Sequence, residues 1–216
     1  MSAEKPRERP ILFNDQMVRA ILEGRKAVTR RIAKPVTHPD LGNIYAPGAL
    51  VLEREPQHVI DRACPYGQPG DRLWVREAWQ GPLISDEEQA ANQSWWKDMT
   101  KFQDPAHCAY RASGDNNEYV DPDGYFHCKW KPSIHMPRWA SRILLEITAV
   151  RVERLQDITE DQAIAEGIDT HPMGFYGNGC ITAGGAFLEL WESINGDGSW
   201  AANPWVWVVE FKRVTP

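Results

Sequence analysis

The chain has 216 residues and a mass of 24.6 kDa, enough for one domain with a full core and short for two. Hydrophobic residues make up 42% and charged residues 25%, a balance that excludes a disordered chain, and no run of eighteen apolar residues exists to cross a membrane as a helix. The formal net charge of −6 disfavours a protein that grips many phosphates along a duplex.

The first ten residues carry no apolar signal core, so a cytoplasmic chain with reduced thiols at Cys64, Cys108, Cys128 and Cys180 is expected. Ile11, Leu12 and Phe13 predict a first strand. Asn14 is an N-cap, Met17, Val18, Ile21 and Leu22 follow at helical spacing, and Gly24 sits where a C′ glycine belongs. Residues 14 to 23 therefore read as a short amphipathic helix, and Arg25 to Ile32 as extended chain leading away from it. Arg25, Lys26, Arg30, Arg31 and Lys34 form a basic cluster on an acidic chain. It is either a solvated face or a contact for an anion.

Residues 33 to 62 are Pro-rich, with one strand expected near Ala49 to Arg54. Pro65, Gly67, Pro69 and Gly70 mark a turn, and Arg72 to Trp79 reads as a strand. Residues 80 to 105 have the polar composition of a peripheral insertion. Within it Ser85 and Glu88 make a capping box, and Trp95 and Trp96 are the strong anchors. Ala109 to Ala112 and Tyr125 to Trp130 are expected as strands joined across Asp121-Pro122-Asp123-Gly124.

Ile143 to Leu155 is the longest strand, with Ile143, Leu145, Ile147 and Ala149 on one face. Thr159 and Gln162 form a second capping box, opening a helix that ends at Gly167. Phe187, Leu190, Trp191 and Ile194 define a third helix, stopped at Asn195-Gly196. Trp205 to Phe211 is an apolar run fit for a buried last strand. Strands scattered among short helices predict an α+β chain with a closed or partly closed barrel.

Three segments carry a family resemblance. They are Ile21-Leu22-Glu23-Gly24-Arg25-Lys26-Ala27-Val28-Thr29-Arg30-Arg31, then Pro69 to Glu77 (PGDRLWVRE), and Thr159 to Gly167 (TEDQAIAEG) with the closing strand Trp205 to Lys212. In order and spacing the sequence resembles the ASCH family of PUA-like β-barrels, in its phage and prophage branch. The first segment is similar to the family's Gly-x-Lys-x-x-Thr-x-Arg signature. The resemblance implies one domain over residues 1–216, elaborated at about 80–138. It also implies a nucleobase, nucleoside or single-stranded nucleic acid as ligand, with no membrane partner. Some ASCH proteins remove the acyl group of N4-acetylcytidine. By that resemblance the catalytic set falls on Lys26, Thr29 and Glu166.

Those residue types suit amide hydrolysis, which needs a base, a nucleophile or bound water, and a proton for the leaving amine. Arg25, Arg30 and Arg31 are cations that can depress a neighbouring lysine. One geometric condition applies. Positions 26 and 29 lie on opposite faces of an ideal strand, so they converge only if Lys26 is still in the turn after Gly24 or a bulge intervenes. Arg30, Arg31, Arg76, Glu77, Trp74, His135 and Arg138 are the candidate substrate contacts. Trp79, Trp205 and Trp207 are core residues or stacking platforms. His107-Cys108 and His127-Cys128 lack the CxxC or HxxxH spacing of a zinc site, so buried thiols, no metal and no cofactor are expected. Beside the hydrolase stand two other readings: a PUA-like module that binds RNA or a modified base without chemistry, and an ASCH-type ribonuclease.

Overall fold

The computed structural model describes residues 6–91, 94–120, 123–127 and 129–215. In chain order the strands are β1 (Glu8–Leu12), β2 (Val28–Ile32), β3 (Val36–Thr37), β4 (Ile44–Tyr45), β5 (Arg72–Arg76), β6 (Trp79–Gln80), β7 (Ala109–Tyr110), β8 (Tyr119–Val120), β9 (Phe126–His127), β10 (Leu144–Arg154) and β11 (Trp205–Val214). The α-helices are α1 (Asp15–Leu22), α2 (Ala49–Leu52), α3 (Gln57–Ala63), α4 (Asp86–Ala91), α5 (Glu160–Ala165) and α6 (Ala183–Asn195). The five long strands order as β1-β5-β10-β11-β2. Arg72 N donates to Arg7 O and Phe13 N to Arg76 O, so β1 runs parallel to β5. Ile147 N donates to Asp71 O and Val75 N to Ile143 O, so β5 is antiparallel to β10. The chain is thus α+β around a mixed sheet. Among the described residues β1 and β2 stand at the two ends of that order, and no pairing closes it into a barrel.

The chain divides into two compact units. The first comprises the residues up to Arg9, Ala20–Leu73 and Leu145–Val214; the second comprises Pro10–Arg19 and Trp74–Leu144. In the first, Val28, Val206 and Val208 from β2 and β11 pack with Ala163 of α5 and with Phe187 and Trp191 of α6. Each large apolar side chain taken out of water here contributes about 1.5–3 kcal/mol. In the second, Trp79, Tyr110, Met136 and Ala140 form the core, with Trp139 edge-on to Trp79 at 5.5 Å.

Local chemistry explains most of these elements. Asn14 Oδ1 accepts from Met17 N at 2.8 Å at the start of α1, and Gly24 takes φ 75° just past its end. Thr159 and Gln162 close a reciprocal capping box on α5. Ser85 and Glu88 do the same for α4, where Ser85 N donates to Glu88 and Glu88 N to the Ser85 hydroxyl. On α6, Thr182 caps the first turn and Gly196 stops the last, although Ile194 stays exposed.

Several expectations are corrected. The strand expected near Ala49 to Arg54 is replaced by the helix α2, with α3 following it. The predicted strand at 72 to 79 breaks after Arg76, because β6 turns to pair with β7 instead. The strands around 109 and 126 are not partners: β9 pairs with β8. Of the turn proposed between them, Asp121 and Pro122 lie outside the described residues, as does Cys128. In β10 the apolar face ends at Ile147. Ala149 is half-buried and the next positions on that face are Arg151 and Glu153, while Val150 and Val152 bury the other face. In the inserted segment the buried aromatic anchor is Phe102, whereas Trp96 is 53% exposed.

His107 has a specific task in that segment. Its Nδ1 lies 2.9 Å from Asp104 and its Nε2 2.9 Å from Glu88, so a carboxylate faces each ring nitrogen. Burial lowers the pKa of His107, but the hydrogen bonds to Glu88 and Asp104 outweigh it and the net shift is upward. Glu88 is pulled down to about 2 by the same contact and by Ser85. The histidine's contribution to stability is therefore complete below about 6.5 and fades as pH rises through the folded pKa; that of Glu88 is complete above its unfolded value and fades in acid. Proton NMR titration should give His107 a midpoint above 6.5. A midpoint at or below that value would contradict the clamp.

Candidate functional site

Lys26 lies between α1 and β2, before strand geometry begins. Its backbone N and that of Arg25 both donate to Ala20 O, while Ala27 N donates to Ala165 O at 2.9 Å. These bonds hold Lys26 in the turn beyond Gly24 and pair it backbone to backbone with Glu166. Gly167 makes the approach possible. It has φ +92°, and a Cβ there would come within 2.8 Å of Ala20 Cβ and 3.0 Å of Lys26 Cβ. Gly167→Ala should therefore cost about 2 kcal/mol or more through backbone strain and displacement of Lys26. Urea unfolding measures it, and a change below about 0.5 kcal/mol would show that the loop yields freely.

The Lys26 ammonium donates to Glu166 Oε2 at 2.7 Å and to the Glu166 backbone carbonyl, also at 2.7 Å. The two side chains are 0% and 2% exposed. Glu166 is the C-cap of α5, where a carboxylate opposes the helix dipole. Two cations offset this, since Arg30 Nη1 also reaches Glu166 Oε1 at 3.3 Å. Arg30 in turn donates through Nη2 to Glu153 at 2.6 Å and to Gln162 at 2.7 Å. Glu153 is shared with Arg151, which also pairs with Glu210. Lys26, Arg30 and Arg151 thus alternate with Glu166, Glu153 and Glu210 across the turn before β2, the strands β2, β10 and β11, and the end of α5.

This network resolves the basic cluster seen in the sequence. Lys26 and Arg30 are buried and Arg31 is half-buried, so the segment is no solvated face. Arg25 is tied to Glu23 and Asp169, and Lys34 is exposed. Burial pulls the Lys26 pKa below the ordinary lysine value; Glu166 opposes this, and Arg31 and Arg30 add to the lowering. Thr29 is 1% exposed and sits opposite Val209 in β11. Strand alternation puts it, with Arg31, on the face of β2 opposite Arg30. Among the described residues no hydrogen bond joins the Thr29 hydroxyl to Lys26 or Glu166.

The second unit holds the other candidate contacts. The Arg76 guanidinium lies over the Trp74 ring at 4.8 Å. Glu77, 1% exposed, is held by Arg142 through two bonds of 3.0 and 2.9 Å, and Arg142 lies 3.9 Å over the Tyr110 ring. Arg142 was not singled out by the sequence reading. His135 is exposed and Arg138 half-buried. Trp79 is core in this unit; in the first unit Trp207 is core, and Trp205 lies under the Arg154 guanidinium at 4.4 Å.

Sequence reasoning also missed Gln162, Glu153 and Arg151 as parts of the Lys26 network. Gln162 was read for its capping role, yet its Oε1 accepts from both Thr159 N and Arg30. Glu153 and Arg151 carried a usable signal, being opposite charges two places apart on the face of β10 that begins with buried apolar residues. No protein-family model, curated protein or solved structure matches this chain.

Proposed function

We propose that this chain is an ASCH-type, PUA-like protein, its sheet forming part of a small barrel, that hydrolyses the amide of an N4-acylcytidine-type nucleoside. The observation that supports the reading is the buried pair of Lys26 and Glu166, two of the three residues implied by the resemblance. A lysine disfavoured as an ammonium by burial and by neighbouring arginines gives up its proton more readily than an ordinary lysine, as a base in this chemistry must. In this reading Lys26 takes a proton from the attacking oxygen, of Thr29 or of a water. The proton is then delivered to N4 of the base as the carbon–nitrogen bond breaks. Glu166 orients Lys26 and balances its charge. If Thr29 attacks, water hydrolyses the acyl-threonine in a second step and restores the hydroxyl.

The internal neutrality of the Lys26 network favours an uncharged nucleoside over a long RNA as substrate. It equally fits a PUA-like module that binds a modified base without chemistry. One experiment separates the two: N4-acetylcytidine is incubated with the protein, cytidine release is followed by chromatography, and binding is followed by calorimetry. Cytidine release supports the hydrolase. Binding of the nucleoside or of a short single-stranded RNA without turnover replaces it by the binding module.

A further inference from the structure

The inserted segment of the second unit lines an open cavity of about 1010 Å³ that the proposed chemistry does not use. Its walls include Trp95, Trp96, Met99 and Tyr119, and Asp86 and Glu118 also line it. Trp95 and Trp96 meet edge to face, with centroids 6.1 Å apart at 86°, so the pair does not close on itself as a stack. Trp96 is 53% exposed, so much of its ring is open to a ligand from solvent. Tyr119 is braced by parallel stacking on His127 at 4.9 Å.

The charge around these rings is one-sided. The carboxylates of Glu88 and Asp104 in the same segment are engaged by His107. Among the described residues Asp86 and Glu118 have no cationic partner, and Glu118 takes a 3.5 Å hydrogen bond from the neutral Asn116 amide. Aromatic faces attract cations through their ring quadrupoles, and unpaired carboxylates add a direct charge term. The same carboxylates repel phosphates, which argues against a nucleotide at this place.

We propose that this cavity binds an organic cation, a ligand carrying an alkylated ammonium group, through the Trp95, Trp96 and Tyr119 rings and the Asp86 and Glu118 carboxylates. An alkylated ammonium fits because its alkyl groups pack on aromatic faces while its weakly hydrated charge is cheap to bring there. This inference is independent of the Lys26 chemistry.

The test uses the full chain and three probes: choline, its uncharged isostere 3,3-dimethylbutan-1-ol, and a short peptide bearing trimethyllysine. Calorimetry gives affinities, and the tryptophan indole N–H resonances report which rings are touched. Choline or the peptide should bind at least about 3-fold more tightly than the alcohol, in line with cation–π contacts at partly exposed rings. Whichever of the two is tighter identifies a small molecule or a modified protein tail as the source. Trp96→Ala should weaken binding about 10-fold and Trp96→Phe less; both change an exposed side chain, so folding is preserved. Asp86→Asn with Glu118→Gln should weaken it several-fold and remove its salt dependence. Equal affinity for the alcohol, unchanged binding in Trp96→Ala, or no response to either cation at millimolar concentration would each overturn the proposal. So would displacement of the cation by cytidine monophosphate at these indoles.

Discussion

Glu166→Ala is expected to lower the free energy of unfolding by about 3–5 kcal/mol, the usual cost of removing one member of a buried ion pair. The change leaves the buried Lys26 ammonium and one arm of Arg30 facing no carboxylate. Glu166→Gln should cost less, because the amide oxygen still accepts from Lys26. Lys26→Met combined with Glu166→Leu should recover much of the loss, since apolar groups of similar volume need no charge partner. Urea unfolding at pH 7 measures all three, and a cost under about 1 kcal/mol for Glu166→Ala would mean that Lys26 and Arg30 do not depend on that carboxylate. The pH dependence has a definite sign. Folded Lys26 holds its proton less tightly than the unfolded chain, whose lysine value is near 10.5. Between the two values unfolding takes up a proton, so the contribution of Lys26 makes the wild type more stable as pH rises. That contribution disappears in Lys26→Met.

Lys26→Arg is the second change with a large expected effect, this time on activity. Arginine keeps the charge and can still reach Glu166, but it does not give up its proton near neutral pH. If Lys26 is the base for N4-acetylcytidine hydrolysis, kcat should fall on the order of 100-fold or more, nearly as far as in Lys26→Ala. Thr29→Ala separates the two forms of attack: a covalent route loses nearly all turnover, whereas a water route loses part of it. A pH–rate profile gives a readout that misfolding cannot imitate. The wild-type rate should rise with pH through a value below 10.5, and that limb should be missing in Lys26→Arg. A Lys26→Arg variant that folds and turns over at the wild-type rate would remove Lys26 from the chemistry.

The elements legible in the sequence are those whose causes lie within a few residues. Asn14 and Gly24 bracket α1, Thr159 and Gln162 start α5, and the apolar run from Trp205 becomes β11. The errors fall where a short apolar run has two solutions. Ala49 to Leu52 is apolar enough for a strand or a helical turn, and in the fold Leu52 N donates to Gly48 O and Glu53 N to Ala49 O, which makes it a helical turn. The small hairpins fail for a related reason. β6, β7, β8 and β9 are two residues each, so their partners depend on what packs around them rather than on their own composition.

The candidate site divides along the same line. By itself the sequence determined which chemistry is on offer: a lysine among arginines after a capped helix, and a glutamate at the end of a capping-box helix. Tertiary structure alone decided what becomes of those charges. Lys26 and Glu166 are 140 positions apart, and they meet because Gly167 lacks the side chain that would keep them apart. The basic cluster looks cationic along the chain because its counter-charges Glu153, Glu166 and Asp169 arrive from β10, the end of α5 and the segment that follows it. Coulomb attraction depends on distance in space, and burial removes the water that would otherwise screen it, so neither the pairing nor the lowered lysine pKa can be read from sequence order.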